Sequence, residues 1–408
     1  MKKLLLTPVL MGLVGLVANC APRPSQPSAE VSNTIRFGAA VSETGKFARE
    51  GKDTRQGYDL WRDWVNEEYG GVQVGDQRYP VEIVYYDDEG NPDTVARLAE
   101  KLITEDQVDF LLAPYSSGLT KSASAIAEKY NTLMVAGGAS SDSLFTRGFS
   151  TFYSVMTPAS RYTESALQAL SKAGAKTVVI AYEDTPFPTS VAEGAQQWTE
   201  QSGMEVLAVE TYPRDVADVS AIINKFKALN PDVFVGGGHF NDALLFVRAA
   251  KELDFNPNAI IITVGPSNPQ FADEMGADAD YVFGPTQWES TMGYEDEYFG
   301  TAQAYAERYE AMWGEPPTYQ AAGATAVGLV LQLAIEAADS LETDAVRQAM
   351  NELNVQTFYG PIQFDQIGRN AAKPMGGIQI LNGQIKVVAP ESVAVTDMAY
   401  PLPAWKER

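Results

Sequence analysis

The chain has 408 residues, 30 of them basic and 53 acidic, which gives a formal charge of −23. Such a charge repels phosphate backbones and anionic headgroups, arguing against nucleic acid or a membrane surface as a partner. One cysteine and one histidine leave no disulfide framework and no zinc site of the usual Cys/His kind, while 45% hydrophobic residues suffice for two ordinary domains.

Lys2 and Lys3 precede an apolar run from Leu4 to Val17, closed by Val17-Ala18-Asn19-Cys20. A charged start, a short apolar core and small residues at the junction describe a secretory signal peptide over residues 1–20, too short to span a bilayer comfortably. A cysteine at that junction is the lipid acceptor of bacterial lipoproteins, although Gly or Ala is commoner than Asn19 just before it. The expectation is a body held outside the cytoplasm, touching membrane only through a lipid on Cys20. Residues 21–33 are rich in Pro and Ser and read as a flexible spacer.

From Ile35 onward, short apolar runs alternate with helical patterns. Strands are expected at Ile35–Val41, Val81–Tyr86, Val108–Ala113, Leu133–Ala136, Thr177–Ala181, Glu205–Val209, Val233–Val235 and Ile260–Val264. Helices are expected at Thr54–Glu68, Pro92–Thr104, Leu119–Lys129, Tyr162–Lys172, Thr189–Gln201, Ala217–Ala228 and Ala243–Leu253. This alternation argues for an α/β fold, with parallel sheets covered by helices on both faces. One run ends near Thr157-Pro158 and a second follows it. The order then changes to helix, including Asp296–Trp313 and Thr318–Ser340, before a hairpin turning at Asn382-Gly383. The apolar segment Ala321–Ala338, broken by Gly323, Gly328, Gln332 and Glu336, reads as a buried helix.

Several stretches together resemble the branched-chain amino acid and amide family of ABC-transporter solute-binding proteins. They are Ile35–Gly38 leading into Ser42–Gly51, Asp87–Pro92 running into Ala96–Ile103, Tyr115–Gly118, Gly137–Ser141, Asp184–Glu193, Gly236–Gly238 and Thr357–Asp365. The likeness runs in order through residues 34 to 390. It implies a type I periplasmic binding fold: two doubly wound lobes, three hinge crossovers and a ligand cleft between them. The crossovers are expected near Thr157, Pro285–Trp288 and Val355–Thr357. Residues 34–156 with 288–355 would then form one lobe, and 157–287 with 356–408 the other.

In open α/β sheets, ligands bind beyond the carboxyl ends of the strands. Ser116 and Ser117 follow one strand, and Gly138, Ala139, Ser140 and Ser141 the next; hydroxyls and N–H groups at a helix start suit a carboxylate. Capping alone explains such serines equally well. The resemblance assigns Ser117 and Ser140 to the carboxylate and the Gly138 carbonyl to an ammonium. By the same likeness Thr44, Tyr115, Ser116, Ala139, Phe187 and His239 join the site; Trp288, at a crossover, either closes the pocket as a wall or packs as interdomain core. α-Amino acid binders of the family commonly carry an acidic residue where this chain has Ser267. Glu50 is the candidate substitute for the missing counter-charge, with Glu183 and Asp242 behind it, since an unpartnered buried ammonium is costly.

The function implied is capture of a small polar solute, most simply a neutral or branched-chain amino acid or a related amide, and delivery to an ABC permease. Ligand sensing, or transport of a urea-like compound or an aromatic acid, are the alternatives. A sensor is expected to bring a membrane span or output domain. No G-x-S-x-G elbow, H-E-x-x-H motif or phosphate-binding glycine loop points to an enzyme. No cofactor or metal is expected, and the protein is expected to be a monomer. Asp87–Asp93 lacks the spacing of a calcium loop; Asp87 is expected to end a strand and Asn91 to cap a helix.

Overall fold

The computed structural model describes Thr34–Arg408 together with Met1; the leader, Cys20 and the spacer lie outside the described residues. The first run comprises β1 (Ile35–Val41), α1 (Ala48–Trp64, continued by a π turn at Val65–Tyr69), β2 (Val72–Val74), β3 (Gln77–Tyr79) and β4 (Val81–Asp87). It goes on through α2 (Pro92–Thr104), β5 (Phe110–Leu112), α3 (Ser117–Lys129), β6 (Met134–Ala136) and β7 (Phe152–Ser154). The second run is α4 (Glu164–Lys172), β8 (Thr177–Glu183), α5 (Pro186–Gln201), β9 (Glu205–Tyr212), α6 (Ser220–Leu229) and β10 (Val233–Gly237). It closes with α7 (Phe240–Glu252), β11 (Ala259–Ile262), α8 (Pro269–Met275) and β12 (Phe283–Thr286). Then follow β13 (Glu295–Asp296), β14 (Gly300–Thr301), α9 (Ala302–Trp313), α10 (Tyr319–Ala338) and α11 (Thr343–Glu352). The last strands are β15 (Asn354–Thr357), β16 (Gly360–Gln363), β17 (Gly376–Leu381) and β18 (Gln384–Ala389).

Two sheets organise these elements. One is parallel, in the order β4-β1-β5-β6-β7, and the other runs β18-β17-β12-β11-β10-β8-β9. In the second only β17 and β18 are antiparallel to their neighbours. Each sheet therefore reverses its strand order once, between β1 and β5 and between β8 and β10. Those reversals fix where a ligand can enter, because the loops leaving the paired strands diverge there and open a crevice.

Helix α10 holds the first sheet together. Among the described residues it is long and apolar enough to cross a membrane, with a mean hydropathy of 1.6 over its most apolar 18 residues, yet 78% of that stretch is buried in the protein. It lies against α1 so closely that a Cβ on Gly328 would stand 2.1 Å from the Trp61 ring. That indole in turn packs edge-on against Phe37 of β1, with centroids 5.1 Å apart, and donates to Gln332 Oε1 at 3.2 Å. A Gly328→Ala variant is expected to lose about 1–3 kcal/mol of stability through overpacking. Urea unfolding checks this, and an unchanged midpoint would show that the helices can part freely.

Candidate functional site

The four loops at the two reversals meet. After β1 the chain passes Lys46 and Phe47; after β5, Tyr115 and Ser116; after β8, Glu183; after β10, His239. Lys46 pairs with Glu183, a carboxylate with no solvent exposure. The Tyr115 hydroxyl lies 3.0 Å from His239 Nδ1, and Phe47 and Phe187 stand 4.9 and 5.6 Å from the same imidazole. Ser141 Oγ donates to the Pro186 carbonyl at 2.8 Å, and Arg214 donates to that of Gly90 at 2.8 Å. Arg49 reaches Gln270 and Glu274 and lies over the Phe240 ring. The crevice is closed.

Inside it lies a narrow cavity of about 10 Å³, drawn tight around its lining. Its polar wall is Ser116, Ser117 and Ser140 with Tyr162, Tyr319 and Gly138; its apolar wall is Met156, Phe187 and Val264. A larger chamber of about 200 Å³ shares Ser116, Phe187 and His239 with it and adds Phe47, Glu183 and Arg214.

The serines are placed by local geometry. Ser116 has φ 83° and ψ 148°, a backbone conformation that residues with a Cβ rarely adopt. This turn lets its Oγ accept from Leu119 N at 3.4 Å and starts α3 at Ser117. Ser117 Oγ accepts from the backbone N–H of Ser140 at 3.1 Å and of Ser141 at 3.0 Å, so its own proton is left to donate. The opening N–H groups of α3 have no partner within the helix and carry its positive dipole end. Ser140 Oγ donates to Tyr162 at 3.3 Å. Capping and binding thus coexist in one cluster.

Removing the Ser117 hydroxyl orphans two buried N–H groups, at about 1–3 kcal/mol each. Ser117→Ala is therefore expected to weaken binding of a carboxylate ligand roughly tenfold or more, against a smaller loss for Ser140→Ala. Titration calorimetry checks the ranking, and equal affinities would remove both hydroxyls from the site.

The charges of the crevice follow from burial. Desolvation pushes the Glu50 carboxyl up to about 7, and Asp53 adds to this; the Phe240 N–H and Arg49 work against it. Burial lowers His239 to about 4, so its ring is neutral at pH 7 and Nδ1 can accept a hydrogen bond. Burial would raise Glu183, but the His239 imidazole when it is charged, the Lys46 ammonium and the Thr185 hydroxyl, 2.9 Å away, outweigh it and hold the carboxylate below its ordinary range. Asp242 accepts from His239 N at 2.8 Å, capping α7, and burial raises it to about 6.

Seven of the expected residues line the smaller cavity: Tyr115, Ser116, Ser117, Gly138, Ser140, Phe187 and His239. Ala139 sits behind it, its carbonyl accepting from Ser154 Oγ at 2.8 Å. Thr44 is exposed and bonded to Asp87 at 2.7 Å, away from both spaces. Ser267 is buried in the loop before α8 but lines neither space. Trp288 lines neither space: its indole donates to the Phe358 carbonyl at 2.9 Å and stands edge-on to Tyr305.

Glu50, Glu183 and Asp242 are all buried, although exposed carboxylates are the rule. Lys46 and the α7 cap already occupy Glu183 and Asp242. Glu50 is outside the lining itself, but Tyr115 and Tyr319, which are in it, both lie in its field. Tyr162, Tyr319, Met156 and Val264 are lining residues that the sequence reading did not single out. Nothing local distinguishes those two tyrosines from the other seventeen.

A model of the family described as periplasmic binding protein matches residues 34–384. The chain belongs to the periplasmic binding protein family. The Leu/Ile/Val-binding protein homolog 7 of Brucella suis biovar 1 is 24% identical over 412 residues, covering 96% of this chain and 98% of the relative. The branched-chain amino acid transporter substrate binding protein LivJ from Streptococcus pneumoniae, solved in complex with isoleucine, superposes with a TM-score of 0.77 at 22% identity. That match covers 88% of this chain and all of LivJ. A solute binding protein from R. palustris, solved in complex with benzoate, gives 0.74 at 18% identity, covering 90% and 99%. The fold is thus the type I periplasmic binding fold, two α/β lobes joined by hinge crossovers around a cleft. The family points to work outside the cytoplasm.

Proposed function

We propose that this protein captures an α-amino acid with an apolar side chain between its lobes and delivers it to an ABC permease. The observation that carries the reading is the hydroxyl cluster at the start of α3, in a cavity with an aromatic and aliphatic far wall. Ser117, Ser140, Tyr162 and the α3 dipole suit a carboxylate, the apolar wall suits a hydrocarbon side chain, and Glu50 supplies the negative charge an ammonium needs. The names of the Brucella relative and of LivJ support the same class.

A second reading is an aromatic acid. Ser267 stands where amino acid binders of the family carry an acid, and four rings (Tyr115, Tyr162, Phe187, Tyr319) surround the cavity. The benzoate-bound structure supports it. Calorimetry of the mature protein against leucine, isoleucine, valine, benzoate, urea and simple amides decides between them. Binding of leucine or a close analogue at roughly micromolar strength is the expected result, and preference for benzoate or an uncharged amide overturns it.

On this reading the first lobe combines residues 34–156 with 288–355, and the second 157–287 with 356–408. The protein acts as a monomer, turns nothing over, and is tethered through a lipid on Cys20. Mass spectrometry of the native protein is expected to find its N-terminus at a lipidated Cys20; an unmodified thiol there overturns the tether.

A further inference from the structure

Beside the three crossovers lies a lysine with no acid near it. Lys373, between β16 and β17, has no solvent exposure, and no carboxylate among the described residues lies within ion-pair distance of it. Its ammonium donates to the Gln287 carbonyl and, at 3.2 Å, to Gln287 Oε1; it also sits 3.9 Å from the centre of the Tyr359 ring. Carbonyl oxygens and a ring face compensate a buried cation only in part. Burial holds the Lys373 pKa well below its ordinary value, so the charged form is favoured only where an anion arrives to offset the desolvation.

The bonds around Lys373 lead to where the anion would be. Gln287 is fixed from both sides by Thr157, accepting from its N–H at 3.0 Å and donating to its carbonyl at 2.9 Å. The same amide faces the Tyr162 hydroxyl. Tyr162 accepts from Ser140 Oγ at 3.3 Å and lines the smaller cavity. The Gln287 amide therefore stands between the Lys373 amine, which bonds it, and Tyr162, which bonds the hydroxyl cluster. Around it, Lys46 is spent on Glu183 and Arg161 on Glu164, while Arg214, in the larger chamber, donates to the Gly90 carbonyl.

We infer that Lys373 is the counter-charge for a carboxylate bound at Ser117 and Ser140, acting through Gln287 and Tyr162 instead of by contact. The inference rests on the carboxylate reading of the cavity. In surroundings of low dielectric a charge one or two residues away still favours an anion. Lys373 is then a positioning and specificity residue: it makes the cavity prefer a carboxylate to the isosteric neutral amide. Because Gln287 and Lys373 also tie Thr157 to the chain entering β17, the charge is satisfied where the lobes hinge.

The test compares leucine with leucinamide, and benzoate with benzamide, by calorimetry on wild type, Lys373→Met and Lys373→Gln. The glutamine keeps a hydrogen-bonding group without the charge and serves if the methionine variant does not fold. The carboxylate-to-amide preference is expected to shrink about tenfold or more in either variant, with amide affinity nearly constant. Equal weakening of acid and amide shows a merely structural lysine and overturns the assignment, as does an unchanged preference. A wild type that prefers the amides overturns the carboxylate reading itself, and this inference with it.

Discussion

Replacing Lys46 with methionine is expected to weaken ligand binding by roughly a hundredfold or more while barely moving the melting temperature of the ligand-free protein. The reason is the position of Glu183. In the closed crevice its carboxylate is fully covered, and Lys46, which approaches from across the crevice, is itself only 14% exposed. Removing one partner of such a pair leaves an uncompensated buried charge, at a cost of about 3–5 kcal/mol. The lobes can escape that cost by staying apart, where water reaches Glu183. The penalty therefore falls on closure and on nothing else. Ligand dissociation should quicken, because closure is what retains the solute. A double variant that also carries Glu183→Gln removes the stranded charge and is expected to recover most of the lost affinity. If Lys46→Met alone instead destabilises the empty protein by several degrees, the pair is already closed without ligand.

The limits of the sequence reading have physical causes. Helix α2 was legible to its ends, since Asn91 accepts from the N–H groups of Asp93 and Thr94 at 2.9 and 3.1 Å before a proline. Asn382 and Gly383, with φ of 53° and 71°, form the tight turn their types suggest. Helix α1 begins six residues before the expected Thr54, because its opening residues bury Glu50 and Asp53, polar residues that hide the helical period. Strand β12 was missed: it contains Pro285, and it pairs with β11 only at Ile261 and Phe283. The helix expected from Asp296 starts at Ala302, since Asp296 accepts from the N–H groups of Tyr298, Phe299 and Phe358 and holds a turn there. In the site, the serines were legible because helix-start chemistry is local. Tyr162, Tyr319, Lys373 and the Lys46–Glu183 pair were not, because their meaning comes from partners far along the chain.

Glu50 decides between the two ligand classes by the sign of its pH dependence. With its carboxyl at about 7, it is half protonated at neutrality in the closed crevice before a ligand's charge reaches it. An amino acid brings an ammonium, which favours the ionised form, so binding expels a proton and affinity rises about tenfold from pH 6 to pH 8. An aromatic monoanion brings only negative charge, favours the protonated form, and loses about tenfold over the same interval. Asp53 and Asp242, each raised to about 6, also titrate nearby, so the decisive quantity is the difference between wild type and Glu50→Gln. The variant should bind leucine more weakly and without that slope, yet leave benzoate affinity intact at pH 6. Stability supplies an independent check. The folded value of Glu50 lies above its ordinary 4.5, so the folded state holds the extra proton and this group's contribution falls as pH rises from 4.5 through 7. Glu50→Gln should therefore raise the melting temperature of the empty protein more at pH 8 than at pH 5. If wild type and variant share one flat pH profile for every ligand, no charge bound in the cavity is coupled to Glu50.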